Sequence, residues 1–552
     1  MKRTIKFLVS FSLAFTAAST IVWAAAGEKL SPELRQSNLP ANLEVIVRYK
    51  VAPTEAHYRK VEGRGGKTLH RYGHIKAGHF SVSLSDLSAL ASDPDVEYIA
   101  PNRTLSGMAI SSSTPQSYST LDMVATAMNI TPSTNQSGIG VAIIDSGMAN
   151  ISDFNLGWQT QIVYQQSFIG GSPADQYGHG THVAGILGGT GAGWMKPGMA
   201  PGINFINLRV LDQNGNGSDA GVIAAIDRAI ALESQYNVRI INLSLGRPVY
   251  EAASQDPLCQ AVEAAWNAGI VVVVAAGNNG RDNSANTQGY ATIMSPGNDP
   301  YVITVGAMKP MGTSTRSDDL IASYSSKGPT LFDHYAKPDI VAPGNLIVSA
   351  LPSNDTLAAL YPQNVLPGGQ FILSGTSMAA PVVSGAAALL LENNPNLTPD
   401  QIKARLMKTA SKNFPTSSTA VDPTTGVSYT SYYDIFTVGA GYLDIGAALG
   451  DTSIAAGQAL SPVAVYNSSN GTVKLQGVSG SNVVWGATAP YATNVVWGAG
   501  QLLANNVVWG ANVVWGASGM AGFNVVWGAN VVWGATTGDA VESTTVAING
   551  EP

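Results

Sequence analysis

The chain has 552 residues, 45% of them hydrophobic and only 12% charged, with 59 Gly and 29 Pro. Such a composition suits ordered, loop-rich globular structure in more than one domain, and argues against a disordered chain, which would be charged and poor in Val and Ile. The net charge of −7 offers no basic footprint, so nucleic acid and anionic membrane surfaces are not expected partners.

The first element reads as an export signal, residues 1–26. Lys2, Arg3 and Lys6 precede FLVSFSLAFTAASTIVWAAA, whose small-residue end suits cleavage after Ala24 or Ala26. The stretch approaches spanning length, so a retained anchor is the rival reading. Dilution by Ser, Thr and Ala and the Ala-Ala-Ala ending favour removal, leaving no stable membrane span and a secreted or cell-surface protein. Cys259 is the single cysteine, which rules out an intrachain disulfide. It sits in DPLCQAVEAAWNAG, of helical period, and reads as a small buried residue rather than a nucleophile.

Residues 27–105 read as a small α+β unit, with strands LEVIVRYK (43–50), HFSVSLS (79–85) and VEYIAPN (96–102) and helix-like stretches at PTEAHYRK and DLSALASDP. A Ser/Thr-rich stretch, 106–120, has turn chemistry and reads as a linker and processing region. From 121 to 455 the pattern changes. IGVAIID, INFINLRVL, VRIINLSL, IVVVVAAG and YVITVGAM are near-continuous apolar runs, as expected of strands buried on both faces, and Ala-rich helical stretches separate them. The prediction is an α/β domain with a mostly parallel sheet flanked by helices, its chemistry beyond the carboxyl ends of the strands.

Three stretches there carry candidate chemistry. GVAIIDSG (140–147) ends an apolar strand at Asp145, YGHGTHVAGILGG (177–189) opens a helix with His179, and LSGTSMAAPVVSGAAALLL (373–391) puts Ser377 at the start of another helix, with Pro381 in its first turn. An acid, a base and a hydroxyl are what an activated nucleophile needs: the imidazole takes the serine proton, and the carboxylate fixes and stabilises the imidazole. Each residue also has an ordinary use. D-S-G commonly ends a strand in a turn, serines cap helices, and HGTH lacks the Glu that zincin chemistry needs. The hydrolase elbow G-x-S-x-G is not matched, because Met378-Ala379 follows Ser377.

IIDSG, HGTHVAG and SGTSMAAP resemble the three catalytic blocks of the subtilisin family of serine proteases, in that family's order. INLSLG (241–246) is similar to its substrate-binding strand and VVAAGNNG (273–280) to its oxyanion-hole segment. The resemblance implies an Asp145–His179–Ser377 triad cutting protein or peptide substrates, with an oxyanion held by the Asn278 amide and the Ser377 backbone N–H. It gives His182 a structural role. It implies a specificity pocket walled by Ser244, Leu245 and Gly246 on one side and Ala276 and Gly277 on the other, with Gly289-Tyr290 at its base. These wall stretches hold no carboxylate, so large apolar or aromatic residues before the cut are expected.

The resemblance also implies that residues 27–105 are an inhibitory propeptide, cut off autocatalytically within about 103–117. No cofactor is required for the chemistry. Many family members bind structural calcium at a loop after the catalytic-His helix, to which Asp153 would contribute. Here that loop, GGTGAGWMKPGMAP (188–201), has no Asp, Glu or Asn and carries a Lys, so the usual site reads as lost. GNGSD (215–219) and GNNGRDN (277–283) read as turns rather than replacement sites.

The tail, 456–552, contains NVVWGA six times between 482 and 535, every copy and every interruption on one six-residue grid. A small β-solenoid, adhesive self-associating strands, and a low-complexity tail lost in maturation all remain open. A surface- or self-association protein, whose protease domain serves to process or display this tail, is the alternative overall reading.

Overall fold

The computed structural model describes residues 28–476 apart from 37–38, 108–116, 135–136, 285–286, 353–354, 423–424 and 468–471, together with the backbone of 507–509 and 525–527. The expected signal, most of the linker and most of the repeats lie outside these residues. Of the repeats, Val507–Trp509 and Val525–Trp527 pair as short parallel strands.

The N-terminal unit runs β1 (Asn42–Tyr49), α1 (Glu55–Glu62), β2 (Lys67–Arg71), β3 (Ala77–Ser83), α2 (Leu84–Ala91), β4 (Val96–Pro101) and β5 (Thr104–Gly107). The first four strands form an antiparallel sheet in the order β2-β3-β1-β4. One of its faces encloses a small core that includes Val45, Val47, Phe80, Leu87 and Ile99. Sequence periodicity gives no sign of β2: of its residues KTLHR, only Thr68 is even half-buried. β5 leaves this sheet altogether.

The larger domain is built on a twisted sheet of β6 (Gly140–Asp145), β7 (Ile162–Ser167), β8 (Asn204–Arg209), β10 (Val238–Leu243), β12 (Val271–Ala275), β13 (Ile303–Lys309), β14 (Leu320–Ile321) and β15 (Ile340–Pro343). Its order is β14-β13-β12-β10-β6-β8-β7, with β15 also on β13, and only the β13–β14 pair is antiparallel. Every residue of β6, β12 and β13 is buried. These strands do not alternate because helices cover both faces. After α3 (His179–Gly188) come α4 (Asp219–Ala231), α5 (Pro257–Asn267), α6 (Thr356–Leu360) and α7 (Thr376–Asn393); α3 and α7 pack together, and α7 also crosses β10, β12, β13 and β15. Small residues permit that closeness: a Cβ on Gly180 would stand 2.2 Å from the Gly147 carbonyl oxygen. Among the described residues no helix is long and apolar enough to cross a membrane.

The two units share one further sheet. β5 lies between β9 (Asn216–Ser218) and β11 (Leu245–Gly246), antiparallel to both. The packed core continues across the junction, taking in Ile46, Tyr72, Ile75 and Leu105.

Candidate active site

β6 ends at Asp145, and α3 begins at His179 after Gly178, whose φ of 107° favours glycine. Both side chains are fully buried, and His179 Nδ1 lies 2.7 Å from Asp145 Oδ1. That contact fixes the proton on Nδ1 and leaves Nε2 as the basic nitrogen. Asp175 ties the pair together. Its Oδ1 accepts from the N–H groups of Tyr177 and Gly178 and from Ser146 Oγ; its Oδ2 accepts from Thr181 N–H and Oγ. Ser146 Oγ in turn accepts from Gly180 N–H. One buried carboxylate thus braces the strand end that carries Asp145 and the helix start that carries His179. The polar motif DQYGHG gave no hint of it, because surface turns look the same.

Ser377 is the second residue of α7, so its backbone N–H has no acceptor within the helix. Pro381 lacks the N–H that would reach the Ser377 carbonyl, and Ser244 Oγ donates to that carbonyl instead, at 2.9 Å. The Ser377 hydroxyl donates to the Ser244 carbonyl at 3.0 Å. Asn278 follows β12, and its Oδ1 accepts from Thr376 N–H and Oγ, both at 3.0 Å. Asp145 with His179, Ser377 with Ser244, and Asn278 therefore lie at the carboxyl ends of the adjacent strands β6, β10 and β12, and His179 Nε2 makes no hydrogen bond to any described residue.

The expected pocket residues divide. Leu245 and Gly246 are β11, paired with Gly107 and Ser106 of β5. Ala276 and Gly277 continue β12, and the residue against Gly277 is Met294, whose Cγ would be 2.7 Å from a Cβ there. Met294 N–H also donates to the Ala276 carbonyl, and the next residue, Ser295, bridges to Arg247 beyond β11. Gly289 stands elsewhere, folded onto Gly280 so closely that a Cβ would fall 1.8 Å from the Gly280 oxygen. Gly289 N–H donates to the Asp282 carbonyl at 2.9 Å, so Gly289 packs on its own turn, and Met294 is the residue found against Gly277.

His182 is a structural residue: its Nε2 bonds the Phe371 and Ile347 carbonyls, and burial drives its pKa down to about 3. Asp153 meets the wrong partners for a cation. Its Oδ1 accepts from Gly191 and Ala192 N–H at 2.7 and 2.9 Å, and the loop turns donors rather than carbonyls towards it. Burial pushes Asp153 up to about 6, against these hydrogen bonds. A hard cation needs several oxygen ligands, and this pairing does not fit one. Among the described residues no group of three His, Cys, Asp or Glu converges as a metal site.

β5 passes through this site. Gly107 N–H donates to the Gly215 carbonyl at 3.0 Å, and a Cβ on Gly107 would lie 3.6 Å from His179 Nδ1. Leu105, two residues earlier, is buried beside Leu211 and Gly217. Gly107, the last described residue of β5, thus lies beside the imidazole.

Residues 136–428 match the model of the subtilase family. The chain is 40% identical over 283 residues to serine protease AprX of Bacillus subtilis, covering 49% of this chain and 60% of that one. It is 34% identical to an extracellular serine proteinase of Thermus sp., over 60% of this chain and 70% of that protein. With subtilisin E of Bacillus subtilis the identity is 31% over 416 residues, 74% of this chain and 93% of the relative. The crystal structure of fervidolysin, a keratinolytic enzyme from Fervidobacterium pennivorans related to subtilisin, shares the fold. Its TM-score is 0.56 at 22% identity, over 76% of this chain and 62% of that one.

Proposed function

The chain belongs to the subtilase family of subtilisin-like serine-type endopeptidases, and on that premise we propose that it is an exported, self-processing enzyme whose N-terminal unit is an inhibitory propeptide. The observation that carries this reading is β5, an extended segment of the N-terminal unit paired on both sides within the cleft and ending beside His179.

In the proposed mechanism Ser377 Oγ turns from the Ser244 carbonyl to His179 Nε2, loses its proton there and attacks the substrate carbonyl. Asp145 stabilises the imidazolium that forms. The Asn278 side-chain amide and the Ser377 backbone N–H hold the oxyanion, each donor contributing about 3 kcal/mol to the barrier reduction. His179 then gives its proton to the leaving amine, and water repeats the sequence to release the acid. Ser244, Leu245, Gly246, Ala276 and Gly277 line the pocket for the residue before the cut. Met294 takes the place at its base expected of Gly289, which favours apolar side chains.

Applied to the chain's own β5, which ends beside His179, this reading takes Gly107 as one residue and Leu105 as three residues before the attacked residue. The first bond cut is then Met108–Ala109. The propeptide remains in the cleft as inhibitor until released. A fluorophosphonate probe tests the activity: it should label Ser377 and abolish casein hydrolysis, and hydrolysis surviving full labelling would contradict the reading. Export rests on the N-terminal sequence and on the extracellular proteinase named among the relatives.

A further inference from the structure

The two units meet through a buried charge cluster that the mechanism does not use. Arg247, directly after β11, is 1% exposed, with Nε 2.9 Å from Asp219 Oδ1 and Nη2 2.7 Å from Asp256 Oδ1. Glu251, 3% exposed, is a third carboxylate in the same place. Within the larger domain, three carboxylates therefore face one guanidinium. A second guanidinium is bound there in the structure. Arg103 of the N-terminal unit sets Nη1 and Nη2 each 2.5 Å from a Glu251 oxygen, and its guanidinium carbon lies 4.9 Å from the centre of the Tyr250 ring. Its Nε is held at 2.8 Å by Glu33, also of the N-terminal unit. The backbone is in step as well: Asp219 N–H donates to the Arg103 carbonyl at 2.9 Å, continuing the β5 pairing by one position.

We propose that Glu251 is the floor of an extended substrate subsite that selects a basic side chain, arginine above all, five residues before the residue whose carbonyl Ser377 attacks. This rests on the proposed reading of β5 as a bound substrate strand. The β5 ladder is made by backbone groups, so any peptide adding the same strand carries its equivalent residue to the socket. A planar guanidinium meets both Glu251 oxygens at once, which an ammonium cannot do. An alanine there leaves a buried carboxylate uncompensated, and a glutamate adds a like charge. Glu33 departs with the N-terminal unit, so towards other substrates Glu251 and Tyr250 act without it. In the chain's own case the contact latches the cleaved propeptide in the cleft.

The test uses the self-processed protein and quenched fluorescent peptides spanning residues 101–112, with Arg, Ala or Glu at the place of Arg103. Burial, then the Asp256 charge, push Glu251 up to about 7, so the assay is run at about pH 8.5, where that carboxylate is ionised. We expect kcat/KM for the Arg peptide to exceed that for the Ala peptide by about tenfold or more, with the Glu peptide poorer still. Glu251→Gln should collapse the Arg-to-Ala ratio towards one. Equal rates for Arg and Ala peptides on the unsubstituted enzyme would overturn the subsite without needing any variant to fold. An undiminished ratio in Glu251→Gln would overturn it too. Failure to cut any of the peptides, by contrast, would count against the protease reading itself.

Discussion

Ser244 and Ser377 are joined by reciprocal hydrogen bonds: the hydroxyl of each donates to the backbone carbonyl of the other, at 2.9 and 3.0 Å. One of these bonds compensates for Pro381, which leaves the Ser377 carbonyl without a helical donor, and the other holds the hydroxyl proposed as nucleophile. The pair links the end of β10 to the start of α7. Ser244→Ala removes the donor to a buried carbonyl and should cost about 1–3 kcal/mol of stability. It should also lower kcat, because α7 loses its tie at residue 377. Thermal unfolding in a Ser377→Ala background and peptide kinetics in the active chain would separate the two effects; unchanged values in both would contradict the linkage.

Asp145→Asn should leave the fold intact, since the amide is nearly isosteric, but it frees the His179 ring to take the wrong tautomer. A fall in kcat on the order of ten-thousand-fold is expected, with KM little changed. Steady-state kinetics with a chromogenic peptide would read this directly.

His182 should make the fold acid-sensitive. Its folded pKa is about 3 against 6.5 for the ordinary side chain, with burial the main cause. The unfolded chain therefore takes up a proton between about 6.5 and 3 that the folded protein refuses. Stability is fully present above 6.5 and falls as pH drops through that window, by roughly 1.4 kcal/mol per unit. Urea unfolding at pH 7 and pH 5 should show a shallower pH slope for His182→Gln than for the unsubstituted background, whatever the absolute stability of the variant.

Asp153 offers a test of metal independence at the usual loop. Its Oδ1 is satisfied by Gly191 and Ala192 N–H, so Asp153→Ala should lower the unfolding temperature equally in excess calcium and in chelator. A loss seen only in calcium would show that a cation binds there.

Met294 sets the depth of the proposed pocket. Met294→Gly should raise kcat/KM for Phe or Tyr over Ala before the cut by about tenfold, the scale of filling or emptying an apolar pocket by a few carbons. A change confined to kcat for all substrates alike would place Met294 outside the pocket.

The sheet was legible because GVAII, just before Asp145, and VVVVA are apolar throughout, as strands covered by helices on both faces are. Asp145, His179 and Ser377 stand out because each closes or opens one of those elements. Long-range pairing left no comparable trace. The family resemblance implies that the end of the N-terminal unit, VEYIAPNRTL, is extended and lies along the cleft, but nothing in TLSG itself names its partners, strands more than a hundred residues away that supply backbone atoms only. Arg103, Asp219, Arg247, Glu251 and Asp256 look like ordinary surface charges until the fold buries them together. Met294 against Gly277 left no trace either, because the contact joins residues seventeen positions apart through an irregular segment.

The central claim is tested most directly by the N-terminus of the purified protein, determined by mass spectrometry for the unsubstituted chain and for Ser377→Ala made in a protease-free cell-free system. The account predicts a mature chain beginning at Ala109 in the first and an intact Met108–Ala109 bond in the second. Cleavage of that bond in Ser377→Ala, or a mature N-terminus lying before residue 104, would contradict it.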